Sequence, residues 1–407
     1  MLRLAVFQSH PTQNFAPLWR EIAQSPEVAL SVFYYSRANV MPRFDPNYGQ
    51  TMTYDVDLLS GYEHRFLPRR WPWRDPTLVS GWALNAGVAQ AVAEQPWDAA
   101  LVFGYSHLNN WTVVRECQRR GVPVLYFSDS NLRTVSRRTG WKAATKRFVL
   151  DHFFSQINCC LSPSTSNADY LRAFGAAPGR IRRFPFPVDI DRLRNSAASM
   201  SQQERRELMQ RYQLTPDDFV VAYLGKLYAG KRPRDLAEAV VATNDRHVKA
   251  LFIGSGAAEG ELASFGDQVR LAGFVNQREI AKVLSLAHLS VMPSAIDAFG
   301  LNVTESLALG IPVLVSDRCG CHGPDDLLQH GQNGFVYSCG NVPELTARIA
   351  ELKQNAPLRR ELSRRATNMV ESQSLQAAKS ALLQRVDQLR SQPRDENQPP
   401  DEIRQAA

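Results

Sequence analysis

Residues 288–317 read His-Leu-Ser-Val-Met-Pro-Ser-Ala-Ile-Asp-Ala-Phe-Gly-Leu-Asn-Val-Thr-Glu-Ser-Leu-Ala-Leu-Gly-Ile-Pro-Val-Leu-Val-Ser-Asp. An apolar run at Leu289–Pro293 gives way to a small-residue loop and a helical stretch that stops at Gly310. The apolar run Ile311–Val315 follows. Strand, helix and strand in that order imply a parallel sheet. The alternation recurs along the chain. In the first half the strand candidates are Leu4–Gln8, Leu30–Tyr35, Ala99–Phe103, Val122–Phe127 and Cys159–Ser162, with helices suggested at 16–24, 79–95, 109–120 and 141–157. A second series begins at Phe219–Leu224, continues through Lys249–Gly254 and Gln268–Gly273, and ends in a helical stretch at 343–392. No repeat of about 20–50 residues is visible, which argues against a solenoid. Two separate α/β sheets with a cleft between them are expected, with ligands at the carboxyl ends of the strands.

Within 288–317, Asp297 and Glu305 stand either side of the turn Phe299-Gly300-Leu301. Ala298 and Gly300 let backbone N–H groups at a helix start come close to an anion. Carboxylates on both sides of such a turn suit sugar hydroxyls, so phosphate between two hydroxyl binders describes a nucleotide-sugar site. The plainer role for Glu305 is to open a helix, where an acid favours the dipole. A second segment, Leu224-Gly225-Lys226-Leu227-Tyr228-Ala229-Gly230-Lys231-Arg232-Pro233, ends a strand and starts a helix with two lysines between. Helix N–H groups and two ammonium groups suit a diphosphate; otherwise this is a solvated loop.

Together these residues resemble the signature of the GT4-type (group 1) retaining glycosyltransferases, whose fold is the two-domain GT-B arrangement. That family usually shows Glu, seven residues, Glu; here Asp297 stands at the first position, shorter by one methylene. The resemblance implies that Asp297 orients donor hydroxyls, Glu305 holds the ribose, and Lys226 and Lys231 stabilise the departing diphosphate without a metal ion. It further assigns the donor-side loop Phe252-Ile253-Gly254-Ser255-Gly256, base-reading backbone at Gly273-Phe274-Val275, and a donor-sugar border at Ser294, alongside Gly225, Phe299, Gly300 and Leu301. The first domain departs from the family. Ser9-His10-Pro11-Thr12-Gln13-Asn14-Phe15 replaces a Gly-Gly loop, and Ser128-Asp129-Ser130 stands where many members carry a His. Asp129 and His107, both after strands, are the catalytic candidates left there; a surface or capping role is the alternative for His107.

The expected organisation is an acceptor domain over 1–188, a donor domain over 189–370, a helix at 371–392 returning to the first domain, and a polar, Pro-rich disordered tail at 393–407. Residues 191–214 read as a connecting helix at the cleft edge.

Net charge is +7 and lopsided: residues 1–195 hold 23 Lys plus Arg against 15 Asp plus Glu, and the remainder 24 against 25. A basic half suggests an anionic partner for that half. Nucleic acid is not expected, because no helix-turn-helix, zinc-finger or RNP-type motif appears. The basic residues of 133–147, interleaved with Trp141, Phe148, Val149, Phe153 and Phe154, suit an anionic membrane surface, as does Arg69-Arg70-Trp71-Pro72-Trp73-Arg74; a solvated helix with its apolar side in the domain core is the alternative. On a helix, Trp141, Phe148 and Leu150 are not expected to share one clean face. No apolar run reaches about 18 residues, so no membrane span is expected. Six cysteines without a framework spacing fit a reducing cytosol. The Cys319-Gly320-Cys321-His322 cluster lacks the second ligand pair of a zinc site, so no metal is expected.

The reading is a metal-independent cytoplasmic enzyme, peripheral on the inner face of the membrane. It moves a sugar from a nucleotide-sugar donor to a saccharide or lipid-linked acceptor. A GT-B epimerase that needs no acceptor, or a non-catalytic nucleotide-sugar-binding protein, are the alternatives.

Overall fold

A computed structural model describes residues 1–46, 48–70, 84–133 and 141–391. The first half contains β1 (Leu2–Gln8), α1 (Phe15–Ala23), β2 (Val28–Tyr34), β3 (Arg43–Asp45), β4 (Gln50–Met52) and β5 (Glu63–Phe66). It continues with α2 (Val88–Ala93), β6 (Ala99–Phe103), α3 (Leu108–Arg119), β7 (Val124–Phe127), α4 (Trp141–Ser155), β8 (Cys159–Ser162), α5 (Thr165–Ala173) and β9 (Ile181–Arg183). Two helices, α6 (Ile190–Ala198) and α7 (Gln202–Arg211), lead into β10 (Phe219–Leu224), α8 (Pro233–Ala242), β11 (Val248–Ile253), α9 (Glu259–Ala263) and β12 (Val269–Gly273). Then come α10 (Ile280–Leu284), β13 (Leu289–Met292), α11 (Leu301–Ala308), β14 (Val313–Ser316), β15 (Gly334–Tyr337), α12 (Val342–Gln354), α13 (Ala356–Met369) and α14 (Leu375–Ser391).

Two parallel sheets result, ordered β5-β2-β1-β6-β7-β8-β9 and β12-β11-β10-β13-β14-β15, with β3-β4 as a separate antiparallel pair. Strands such as Leu2–Gln8 are buried almost throughout, as parallel strands covered on both faces must be. In the second sheet the order reverses at β10, which lies between β11 and β13. That reversal opens a crevice at the strand ends.

Several elements differ from the sequence reading for local reasons. The short edge strands β5, β9 and β15 escaped it because three or four residues carry too little alternation. Residues 191–214 form two helices rather than one, because Ser201 starts α7 with a capping box to Glu204. The 343–392 stretch breaks into three helices, with Asn355 capping α13 through the Leu358 N–H. The helix read at 79–95 begins at Val88, after Gly87 at φ 79°; residues 71–83 and the tail lie outside the described residues.

The chain crosses between the sheets twice, at 184–189 and 370–375, and the two passages lie side by side. The Val188 N–H donates to the Gln373 carbonyl at 3.1 Å, and the Phe186 N–H to Gln373 Oε1 at 3.1 Å. Beyond the second crossing, α14 packs on α1 of the first sheet. Ala378, Leu382 and Val386, at one-turn spacing, are fully buried in the same apolar cluster as Phe15, Leu18, Trp19 and Ile22, and Lys379 Nζ donates to the Glu21 carbonyl at 3.0 Å. That cluster runs through both halves, and Phe186 meets Phe299 across the boundary at 5.1 Å.

Helix α4 separates the aromatic residues of the basic stretch. Leu150, Phe153 and Phe154 are buried, whereas Trp141 and Phe148 stand 74% and 77% exposed. Seven positions apart, those two lie on one helix face, while Leu150 turns into the core, so the three do not share one face, as the sequence implies. Lys146 folds back over Phe174, 4.8 Å from its ring centre. Arg133 turns into the cleft and donates to the Cys319 carbonyl. Arg137 and Arg138 lie outside the described residues. No described helix is long and apolar enough to cross a membrane.

Leu382→Ala should lower stability by about 2–5 kcal/mol, the range for emptying a fully buried leucine site. The exposed Gln384→Ala should stay within about 0.5 kcal/mol. Urea unfolding of the full chain measures both.

Candidate functional site

At the reversal of the second sheet, the ends of β10, β11 and β13 surround a cavity of about 280 Å³. Its walls include Gly225, Lys226, Lys231, Gly254, Phe274, Val275, Ser294, Asp297, Gly300, Leu301 and Glu305. Residues from 225 to 305 therefore meet in one hollow.

Two glycines make this possible. A Cβ at Gly254 would lie 1.9 Å from the Gly225 carbonyl oxygen, so neither strand end could come as close with a side chain there. At Gly300, φ is 93° and a Cβ would meet Met292 Sδ at 2.9 Å; α11 starts directly after it. The lysine turn and the 288–317 loop are joined by backbone, since Ala295 and Ile296 N–H groups both donate to the Gly230 carbonyl, at 3.0 and 3.2 Å. Lys231 Nζ then reaches the Ile296 carbonyl at 3.2 Å and forms an ion pair with Asp297 Oδ2. Ser294 Oγ lies 3.5 Å from the same carboxylate oxygen.

Glu305 lies one helical turn and more beyond Leu301, on the cavity wall. It is half-buried, and burial pushes its carboxyl up to about 7, with Arg192 opposing the shift. Asp129 follows β7 in the first domain. Burial raises its pKa, the Asp297 charge adds to the rise, and Lys231 opposes it. His107 stands at the N-cap position of α3 but makes no side-chain cap bond, its Nδ1 buried without a partner; burial lowers its pKa, which favours the neutral ring. Neither Asp129 nor His107 lines the cavity.

Three donor candidates also stand behind its wall. The Gly256 N–H is taken by Glu259 Oε1 at 2.7 Å, Gly273 accepts the Gly254 N–H at 2.8 Å, and Phe299 is buried against Phe186. The Cys319 thiol lies 3.6 Å from Ser316 Oγ, and burial pushes it up to about 12. Among the described residues, no group of three or more His, Cys, Asp or Glu could hold a metal ion.

Sequence reasoning missed several contributors. Asn302 lines the cavity and donates to the Leu224 carbonyl at 2.6 Å. Asn131 crosses from the first domain to the Asp297 and Ala298 carbonyls at 3.2 and 2.5 Å. Gln13, Asn14, Tyr48 and Tyr54 of the first domain also line it. Only Gln13 and Asn14 carried a signal, as part of the loop in place of Gly-Gly.

Residues 204–369 match the model of the family described as glycosyl transferases group 1. They belong to that family. The chain is 24% identical over 257 residues to the putative glycosyltransferase EpsD of Bacillus subtilis (strain 168), covering 61% of this chain and 65% of EpsD. It is 28% identical over 193 residues to the alpha-D-kanosaminyltransferase of Streptomyces kanamyceticus, covering 46% and 47%. The chain thus spans about half to just under two-thirds of the length of these curated relatives. In three dimensions it matches HepE of Anabaena, crystallised with UDP, with a TM-score of 0.71 at 15% identity over 95% of this chain and 100% of that one. The fold of this chain is GT-B.

Gly254→Ala should lower the melting temperature by an amount corresponding to about 1–3 kcal/mol of backbone strain. Gly260→Ala, with open space around its Cβ, should not. Thermal melts of both variants test the claim that the strand ends are held apart by nothing larger than hydrogen.

Proposed function

We propose that the chain is a retaining glycosyltransferase, moving a sugar from a nucleotide-sugar donor bound at the second sheet to an acceptor bound mainly by the first domain. One observation carries this reading: Lys226, Lys231, Asp297 and Glu305 share a single cavity at a strand-order reversal. Two ammonium groups there match a diphosphate, and the UDP held by the HepE structure supports a nucleotide ligand for this fold. The lysines supply the positive charge that a metal ion would otherwise bring to the leaving group.

The acceptor oxygen attacks the anomeric carbon from the face the diphosphate leaves. The bond from that carbon to the phosphate oxygen breaks, the new glycosidic bond forms on the same face, and the acceptor proton passes to the departing phosphate. Asp297, held by Lys231, orients donor hydroxyls rather than attacking the sugar; Glu305 receives the ribose hydroxyls. Asp129 and His107 belong to the acceptor side. The acceptor is a glycan, lipid-linked or cell-envelope saccharide, and the enzyme works at the inner face of a membrane. Trp141, Phe148 and Val149, exposed beside Arg147 on α4, support that docking.

Lys231→Ala and Glu305→Ala should each slow transfer by about 10²–10³-fold, the range for losing one preorganised transition-state contact. Unimpaired transfer by both would end the reading. The Glu305 carboxyl, pushed up to about 7 by burial, becomes protonated below that pH and loses acceptor capacity toward the ribose. Donor KM should therefore rise as pH falls through about 7. Glu305→Gln should flatten that limb, as steady-state kinetics across the range would reveal. Trp141→Ser with Phe148→Ser should reduce co-sedimentation with phosphatidylglycerol vesicles but not with phosphatidylcholine vesicles, and unchanged pelleting would remove the docking claim.

A further inference from the structure

Lys226 takes a partner from the other domain. Its Nζ lies 2.8 Å from Asp45 Oδ2, on β3 of the first-domain hairpin, and 4.8 Å from the centre of the Tyr48 ring. Tyr48 meets Phe274 edge-on at 5.5 Å. Neighbouring contacts hold this part of the first domain against the second: Gln50 Nε2 donates to Ser255 Oγ at 2.9 Å, Asn276 Nδ2 to the Thr53 carbonyl at 2.7 Å, and the Arg278 N–H to Asp55 Oδ1 at 3.2 Å. First-domain side chains thus roof the cavity and bring a carboxylate onto one of its two ammonium groups.

The two lysines are consequently not equivalent. Lys231 is paired from within its own domain, with Asp297. Lys226 is paired across the cleft, and both partners keep about a third of their side-chain surface, 31% for Lys226 and 29% for Asp45. A cavity of about 280 Å³ also lies just under the roughly 300–1,000 Å³ usual for small-molecule sites, so a nucleoside diphosphate sugar needs the roof to yield. A phosphate arriving at Lys226 meets a carboxylate of its own sign on the same ammonium, and the two repel.

We propose that Asp45 is a positioning residue for nucleotide exchange, acting through Lys226. Its carboxylate is displaced when a diphosphate arrives and re-forms the ion pair as the nucleoside diphosphate leaves, so it weakens retention of the product. No covalent bond changes in this step. The inference rests on the cavity being the donor site, and it assigns a role to the first-domain hairpin that the second domain's motif does not contain. Product release sets turnover in many enzymes, so a competitor for the diphosphate's cation bears directly on rate.

The test is calorimetric titration of UDP, GDP and ADP, with uridine, guanosine and adenosine as phosphate-free controls, into the full chain. The variants are Asp45→Asn, Asp45→Glu, Lys226→Met and the double Asp45→Asn, Lys226→Met. Asn keeps the Oδ1 that accepts the Tyr48 N–H at 3.4 Å, so the hairpin turn is retained. Asp45→Asn should bind the diphosphate that the native chain binds about two- to fivefold more tightly, the effect of removing one partly exposed ion pair. The matching nucleoside should be unaffected, and Asp45→Glu should stay at native affinity. In the Lys226→Met background the substitution should have no effect. Unchanged or weaker diphosphate binding by Asp45→Asn overturns the proposal, as does equal tightening of the nucleoside or tightening that survives Lys226→Met. If the native chain binds none of the three diphosphates, the donor-site reading itself falls, and this inference with it.

Discussion

The ion pair between Lys231 and Asp297 is the contact on which the arrangement of the site depends. Sixty-six positions separate the two residues, and they meet because β10 and β13 are neighbours in the second sheet. Both side chains are largely enclosed, at 21% and 11% exposed. Removing one partner would leave the other charge largely desolvated and unpaired, which is destabilising. The pair therefore fixes the distance between the lysine turn and the loop that starts α11, and the Gly230 carbonyl, accepting two N–H groups from that loop, fixes it again.

Around that contact the two halves are joined in different ways. At the crossing point, adjacent backbone passages at Val188 and Gln373 share a hydrogen bond, and an apolar cluster continues through Phe186 and Phe299. Along the cleft the contacts are polar and individually modest: Asn131 to the Asp297 and Ala298 carbonyls, Asn276 to Thr53, and Arg183 to Asp326 at 2.7 Å. A boundary that is apolar at the crossing and polar at its open edge can part at that edge without exposing core, and the edge is where a ligand must enter. Polar groups released there regain water at little net cost.

Much of this could be read from the residues. The βα alternation, the apolar strands and the two chemistry-bearing segments are local properties of the chain, and strands buried on both faces announce themselves as near-continuous apolar runs. Eleven of the sixteen site candidates, from Gly225 to Glu305, line one cavity. Glu305 and Lys231 were legible because a carboxylate and an ammonium beside glycine turns leave a pattern. Asn131, Asn302 and Asp45 were not, because an amide or acid in a loop looks the same whether it faces solvent or reaches across a cleft. Edge strands such as Ile181–Arg183 were missed for a related reason: three residues gain their pairing from a neighbour rather than from their own periodicity.

Sequence alone determined the two parallel sheets, their switch between strand and helix, and which types of side chain would gather at the strand ends, since each follows from short-range pattern and backbone chemistry. Tertiary structure alone decided which of those side chains meet: that Lys231 pairs with Asp297 while Lys226 is taken by Asp45, that Phe299 turns into the boundary, and that Trp141 and Phe148 face outward from α4. Such pairings depend on strand order and on how one domain lies over the other, and distance along a chain carries no record of either.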